Sequence, residues 1–189
     1  MTAEAMGFSD ARGYACDVTD GAAVADVFTA VAEDLGPVDT VVYNAGSGAW
    51  GSVDDVSPED LGRNMEINAT GLMRVAQAVL PVFRAEGRGN IVVIGAGAAT
   101  RGRAKTIAFA AGKAAQRSVA QSLARHLGPE KIHVSYVIID GGIASEERGR
   151  TGPDFLKADA IADAVYALTQ QDESAWSFEI DLRPFGESW

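Results

Sequence analysis

The stretch "GNIVVIGAGAATRG", Gly89 to Gly102, decides how this chain is read. Apolar residues run into Gly95-Ala96-Gly97, and the glycines have two possible origins. In a dinucleotide-binding loop, a strand followed by G-x-G-x-x-G opens a helix whose N-terminal N–H groups seat a pyrophosphate. Here Thr100 holds the third glycine position. Arg101-Gly102-Arg103-Ala104-Lys105 do not open a helix, and Arg117 stands where the ribose would need an acid. The fingerprint fails on three of its own terms, so the stretch reads as a buried strand leaving its sheet through small residues.

Outward from that strand, β-type runs alternate with helical patterns. Candidate strands are Ala11–Val18, Val38–Ala45, Asn90–Gly95, His133–Asp140 and Phe178–Leu182. Val24, Val27, Phe28, Val31 and Leu35 recur at helical spacing behind the N-cap candidate Asp20, and Gly36-Pro37 ends that helix. Ser57-Pro58-Glu59-Asp60 is a second cap with proline at the first helical position, leading a helix to Gly87. Further helices cover about Thr106 to Leu127 and Ala158 to Thr169, and Ser145 to Asp154 is a polar gap. The alternation implies an α/β, Rossmann-like three-layer fold: an incomplete doubly wound parallel sheet of about five strands in a single domain, residues 1–189.

A 47% hydrophobic and 22% charged composition suffices for one globular core. With 26 acids against 16 bases, the net charge of −10 argues against nucleic-acid and anionic-membrane partners. One cysteine, Cys16, forms no internal disulfide, and no apolar run reaches membrane-spanning length, so the cytoplasm is the expected location. His126 and His133 fall at a helix end and in a strand, with no spacing suited to a metal.

Several short motifs then agree in order: "ACDVTD" (Ala15–Asp20), "VVYNAG" (Val41–Gly46), "EINATG" (Glu66–Gly71), "FAAGK" (Phe109–Lys113), "IHVSYVIIDGGI" (Ile132–Ile143) and the tail "SAWSFEIDLRPFGESW". Together they resemble the short-chain dehydrogenase/reductase family over essentially the whole chain. The resemblance implies a Rossmann fold, NAD(P)-dependent oxidoreduction, a dimer or tetramer, and catalysis by an Asn, a Ser, a Tyr and a Lys. Position by position, the Asn falls on Asn68 and the Lys on Lys113. The Tyr position holds Phe109 and the Ser position Ala96. The family's G-x-x-x-G-x-G turn is not among these residues, so the resemblance is to a member lacking the glycine-rich cofactor loop.

Phenylalanine cannot trade a proton, and loss of a general acid costs about 10²–10⁴ in rate. With the glycine-rich turn missing from these residues and the negative net charge opposing a dianionic ligand, the expectation is that no nicotinamide cofactor binds, with Asp17, Val18, Asn44 and Gly46 left as vestiges of its contacts. Asn68, Lys113 and Asp140 are the candidate catalytic residues. Lys113 would act as a base if desolvated, and Asp140 is either an acid facing the cleft or a cap of its loop. Ala96, Gly97, Phe109, Trp50, Gly141 and Gly142 are expected to form the substrate cleft. Tyr43 should point opposite to Val42 and Asn44, and Trp50, Trp176 and Trp189 read as packing or interface residues. The function expected first is a cofactor-independent, redox-neutral enzyme, of isomerase, cyclase or dehydratase type, on a small apolar carbonyl-bearing substrate, working as a homodimer. The alternatives are a non-catalytic member that binds a partner, and an NAD(P)-dependent oxidoreductase represented here without its first fifty or so residues.

Overall fold

The structure, a computed structural model, describes residues 11–186, so Trp189 lies outside the described residues. Four parallel strands form one sheet: β1 (Thr40–Tyr43), β2 (Gly89–Ala96), β3 (Ile132–Ile139) and β6 (Glu179–Leu182), in the order β1-β2-β3-β6. Two shorter strands, β4 (Gly142–Ile143) and β5 (Phe155–Leu156), pair beside it. The helices are α1 (Gly21–Leu35), α2 (Pro58–Met65), α3 (Gly71–Glu86), α4 (Ile107–Leu127) and α5 (Ala158–Thr169).

The alternation of the strands sorts the core onto two faces. Tyr43, Ile91, Val93, Val134, Tyr136 and Ile138 pack with residues of α1, α3 and α4 into the main core. Val92 and Val137 point the other way and meet Leu168 of α5 in a smaller cluster. The register confirms the sorting, since Val42 pairs Val92 and Tyr43 pairs Val93.

The expected fifth strand, Ala11–Val18, is not a strand. Residues 11–17 are irregular and mostly exposed, and the segment is fastened to the far end of α1. The Tyr14 hydroxyl donates to Asp34 at 2.6 Å, and Arg12 lies 3.6 Å from the same carboxylate. Only Val18 in this segment is β-branched, and Gly13 interrupts any alternation, so little favours pairing over these side-chain anchors. The free side of β1 is consequently unpaired among the described residues, and Val42 is 46% exposed.

Asp20 caps α1 as expected, accepting from the N–H groups of Ala22 and Ala23, and Ser57 with Asp60 forms a reciprocal capping box on α2. The helix expected to run unbroken to Gly87 contains a π turn, Glu66–Thr70, between α2 and α3. Such single wide turns interrupt helices frequently at functional sites. The glycines of the opening stretch have packing reasons. A Cβ on Gly95 would enter the ring of Tyr136, and one on Gly97 would strike the carboxylate of Asp140.

Candidate functional site

At the C-terminal ends of β1, β2 and β3, where open α/β sheets bind ligands, lies a cleft of about 940 Å³. Its lining includes Asn44, Trp50, Ala96, Gly97, Phe109, Lys113, Asp140, Gly141 and Gly142, so the structure brings these sequence-expected residues together. Asp17 and Val18 line neither this cleft nor the trough on the opposite side of β1, whose walls include Val42 and Tyr166. They sit instead at the start of α1, where the N–H and hydroxyl of Thr19 hold the Asp17 carboxyl below its ordinary range.

Lys113 sits on the inner face of α4 and is 7% exposed. Its Nζ donates to the Ile94 carbonyl at 2.9 Å and to Gln116 Oε1 at 3.0 Å. Both partners are neutral, so burial alone acts on the amine and pulls its pKa down to about 8. Asn68 is fully buried inside the π turn. Its amide nitrogen donates to the Asn64 carbonyl at 2.9 Å and to the Ser47 carbonyl at 3.0 Å. An amide that interrupts most helices thus satisfies the carbonyl of the widened turn and ties it to the loop after β1. Asn68 Oδ1 is buried with no hydrogen-bond partner among the described residues. A Cβ added to Gly46 would come 3.6 Å from both Asn68 Oδ1 and Lys113 Nζ, so the two polar atoms flank this glycine behind the cleft wall, which neither Asn68 nor Gly46 lines.

Asp140 is 6% exposed and occupied on both oxygens: Arg101 pairs with Oδ1, and Arg183 Nη2 lies 3.0 Å from Oδ2. It fastens β3 to the loop after β2 and to the segment after β6 while lining the cleft. Tyr43 points into the core opposite to Val42. Its hydroxyl donates to the Ile67 carbonyl, and burial pushes its pKa up to about 12. Phe109 stacks on Trp50 with ring centroids 4.9 Å apart, forming an apolar wall where a phenol would otherwise stand. His133 lies flat on Trp176 and bonds the Ser177 carbonyl through Nε2, while Arg117 finds its acid in Glu179 of β6.

Three arginines of this cleft, Arg103, Arg148 and Arg150, escaped the sequence reading. The available signal was "EERGRTG", a basic pair inside an otherwise unassigned gap of an acidic chain. No group of three or more His, Cys, Asp or Glu residues is placed to hold a metal among the described residues, and no described helix is long and apolar enough to cross a membrane.

The parallel sheet, its helical layers and this cleft agree with the comparisons: the short chain dehydrogenase family matches residues 2–152. The chain belongs to the short-chain dehydrogenase/reductase family. It is 35% identical over 140 residues, 74% of its length, to the inactive 2-(S)-hydroxypropyl-CoM dehydrogenase 2 of Xanthobacter autotrophicus, and spans 60% of that protein. It is 33% identical over 174 residues to the 3-oxoacyl-(acyl-carrier-protein) reductase MabA of Mycobacterium tuberculosis, covering 86% of this chain and 70% of the reductase. A metagenomic short-chain oxidoreductase solved in complex with NADP superposes with a TM-score of 0.77 at 26% identity, covering 92% of this chain and 74% of that one.

These relatives overturn the expectation of a cofactor-independent, redox-neutral enzyme. They are named dehydrogenase, reductase and oxidoreductase, and one holds NADP. The expectation that no nicotinamide cofactor takes part loses its support with it. The missing hydroxyls at Ala96 and Phe109 change the proton donor available in the cleft, and their absence does not by itself convert the reaction class.

Proposed function

We propose that this chain carries the substrate cleft and the nicotinamide-facing half of an NAD(P)-dependent oxidoreductase acting on a small carbonyl or alcohol compound. The observation that supports it most is the cleft at the C-terminal edge of the sheet, which gathers Asn44, Ala96, Phe109 and Lys113 on one wall. A nicotinamide ribose, rich in hydroxyls, suits the Lys113 amine and the Asn44 amide, which both line this cleft. The 189 residues contain no pyrophosphate cradle of the G-x-x-x-G-x-G type, so the proposal assigns them only that end of the dinucleotide. When bound, the cofactor supplies or accepts the hydride at the substrate carbon.

This chain's own contribution is the proton. Carbonyl reduction needs one proton on the oxygen, and Phe109 has none to give. Lys113, the titratable amine lining the cleft, is mostly an ammonium below about pH 8 and can donate to the developing alkoxide, recovering its proton from solvent. Ile94 and Gln116 orient it from behind. Trp50 and Phe109 form an apolar wall on one side.

The test is NADPH oxidation by the purified protein with short ketones. Expected is turnover that falls above pH 8, is abolished by Lys113→Met, and rises about 10²–10⁴-fold in Phe109→Tyr. Failure of both wild type and Phe109→Tyr to bind or consume NADPH overturns the reading.

A second reading, a catalytically silent family member, is favoured by one contact: the Trp50–Phe109 stack stands in the cleft itself. It expects NADPH binding without turnover. In either case we propose a homodimer. Leu61 and Met65 of α2, Met73 of α3 and Ile107 of α4 are exposed apolar residues on neighbouring helices, a patch suited to a second copy. Light scattering that finds only monomer at micromolar concentration would exclude it.

A further inference from the structure

The charge of the cleft is opposite to that of the protein. Among the described residues five basic side chains line it, Arg101, Arg103, Lys113, Arg148 and Arg150, against two acids, Asp140 and Glu147. Arg101 and Asp140 are consumed by each other. Arg103, Arg148 and Arg150 have no carboxylate within ion-pair distance among the described residues, although the chain has acids to spare. Three guanidinium-bearing side chains left unpaired around one concavity, in a protein of net charge −10, form a local field that repels cations and concentrates anions.

The loop that carries two of them is shaped rather than loose. Ser145 and Arg150 exchange both main-chain hydrogen bonds, each at 2.9 Å. Glu146–Arg148 form one 3-10 turn, and Gly149, at φ 63°, closes the return in a conformation that side chains disfavour. The β4–β5 ladder anchors the base of the loop beside Gly142, which is itself part of the cleft wall. Arg148 and Arg150 are thereby presented from one side of the opening and Arg103 from the loop after β2. The Trp50–Phe109 wall and Phe155 supply the apolar surface between.

From this arrangement we infer that the substrate is a carbonyl or alcohol compound bearing an anionic group (carboxylate, phosphate or sulfonate), gripped by Arg103, Arg148 and Arg150 while its reacting carbon faces Lys113. The inference rests on the oxidoreductase reading for the reacting carbon, and on the arginines alone for the anion. Guanidinium groups suit planar, bidentate recognition of oxyanions. Glu147 at the rim opposes only weakly, being exposed.

Equilibrium binding by calorimetry at low ionic strength tests it, with acetoacetate, dihydroxyacetone phosphate and 2-oxopropanesulfonate as the three anionic probes and hydroxyacetone as the neutral one. At least one anion is expected to bind about tenfold or more tightly than hydroxyacetone. That preference should shrink with salt and vanish in the Arg103→Ala/Arg148→Ala/Arg150→Ala variant, whose three sites are exposed and leave the fold intact. The probe that wins identifies the anion. Equal binding of neutral and anionic probes, no binding of any, or a preference that survives the triple variant overturns the inference. So does displacement of the anion by NADP⁺, which would reassign the arginines to dinucleotide phosphate. No turnover is involved, so a chain that consumes no NADPH still answers this question. A chain that turns over neutral ketones without the preference refutes only the anion.

Discussion

Two ionisable side chains lie buried at this cleft, and the protein holds them in opposite ways. Asp140 meets a guanidinium on each oxygen; Lys113 meets a main-chain carbonyl and an amide. A charge with ionic partners is spent on holding elements together, because any change in its state leaves the partners uncompensated. A charge with only neutral partners keeps its state adjustable near neutral pH and can take part in proton transfer. The sequence makes both residues catalytic candidates, Lys113 as a base and Asp140 as an acid or a cap of its loop. The partners separate them.

The largest consequence is in the pH dependence of stability. Lys113 loses its proton near pH 8 in the folded chain and near 10.5 when unfolded. Between those values the unfolded chain binds more protons, so stability rises with pH. The contribution is about 3 kcal/mol. Urea denaturation of wild type at pH 7.5 and pH 9.5, beside Lys113→Met, is expected to show a rise in wild type that the variant lacks. A flat wild-type profile would mean that the amine finds an anion after all and would erase the contrast with Asp140.

The converse experiment acts on Asp140. Asp140→Asn leaves the Arg101 and Arg183 contacts without their carboxylate. Breaking a buried pair costs about 3–5 kcal/mol, and the exposure of Arg101 lowers the expectation here to about 2 kcal/mol. Gly97→Ala, whose Cβ would strike the same carboxylate, should cost about 1–3 kcal/mol by the same route. Thermal denaturation of both variants checks this. If either leaves stability unchanged, Asp140 is not a fastening and its catalytic candidacy returns.

The same distinction explains what was legible in the sequence. Strand and helix positions followed from periodicity, and the span read for α5, Ala158 to Thr169, is the one the structure shows although neither end carries a side-chain cap. Segment 11–18 went wrong because strand pairing depends on a partner edge, while Tyr14 and Arg12 find Asp34 at the end of α1, twenty or more residues away. The π turn was invisible because the sequence around Asn68 reads as ordinary helix; only the Asn68 amide reaching the Asn64 and Ser47 carbonyls reveals why the turn widens. Gathering of the cleft residues was readable from the family's motif order. The unpaired state of Arg103, Arg148 and Arg150 was not, since which acids stay out of reach is a property of the folded chain.

Tyr43 offers the smallest and most discriminating check, being another buried titratable group with a neutral partner. Its hydroxyl donates to the Ile67 carbonyl inside the π turn, so Tyr43→Phe removes one buried hydrogen bond, a loss of about 1 kcal/mol. Its pKa stands near 12 in the fold against an ordinary value of 10.0, so between those values the folded chain holds the extra proton. Stability therefore falls as pH rises through this window, the reverse of the Lys113 effect. Tyr136, also raised by burial, adds to the fall in wild type and variant alike. The wild type should exceed Tyr43→Phe by about 1 kcal/mol at pH 8, with the difference closing and then inverting towards pH 12. A difference that stays constant across that range would show that the phenol titrates as if exposed, and that a neutral partner in this core does not leave a group's charge at the mercy of burial.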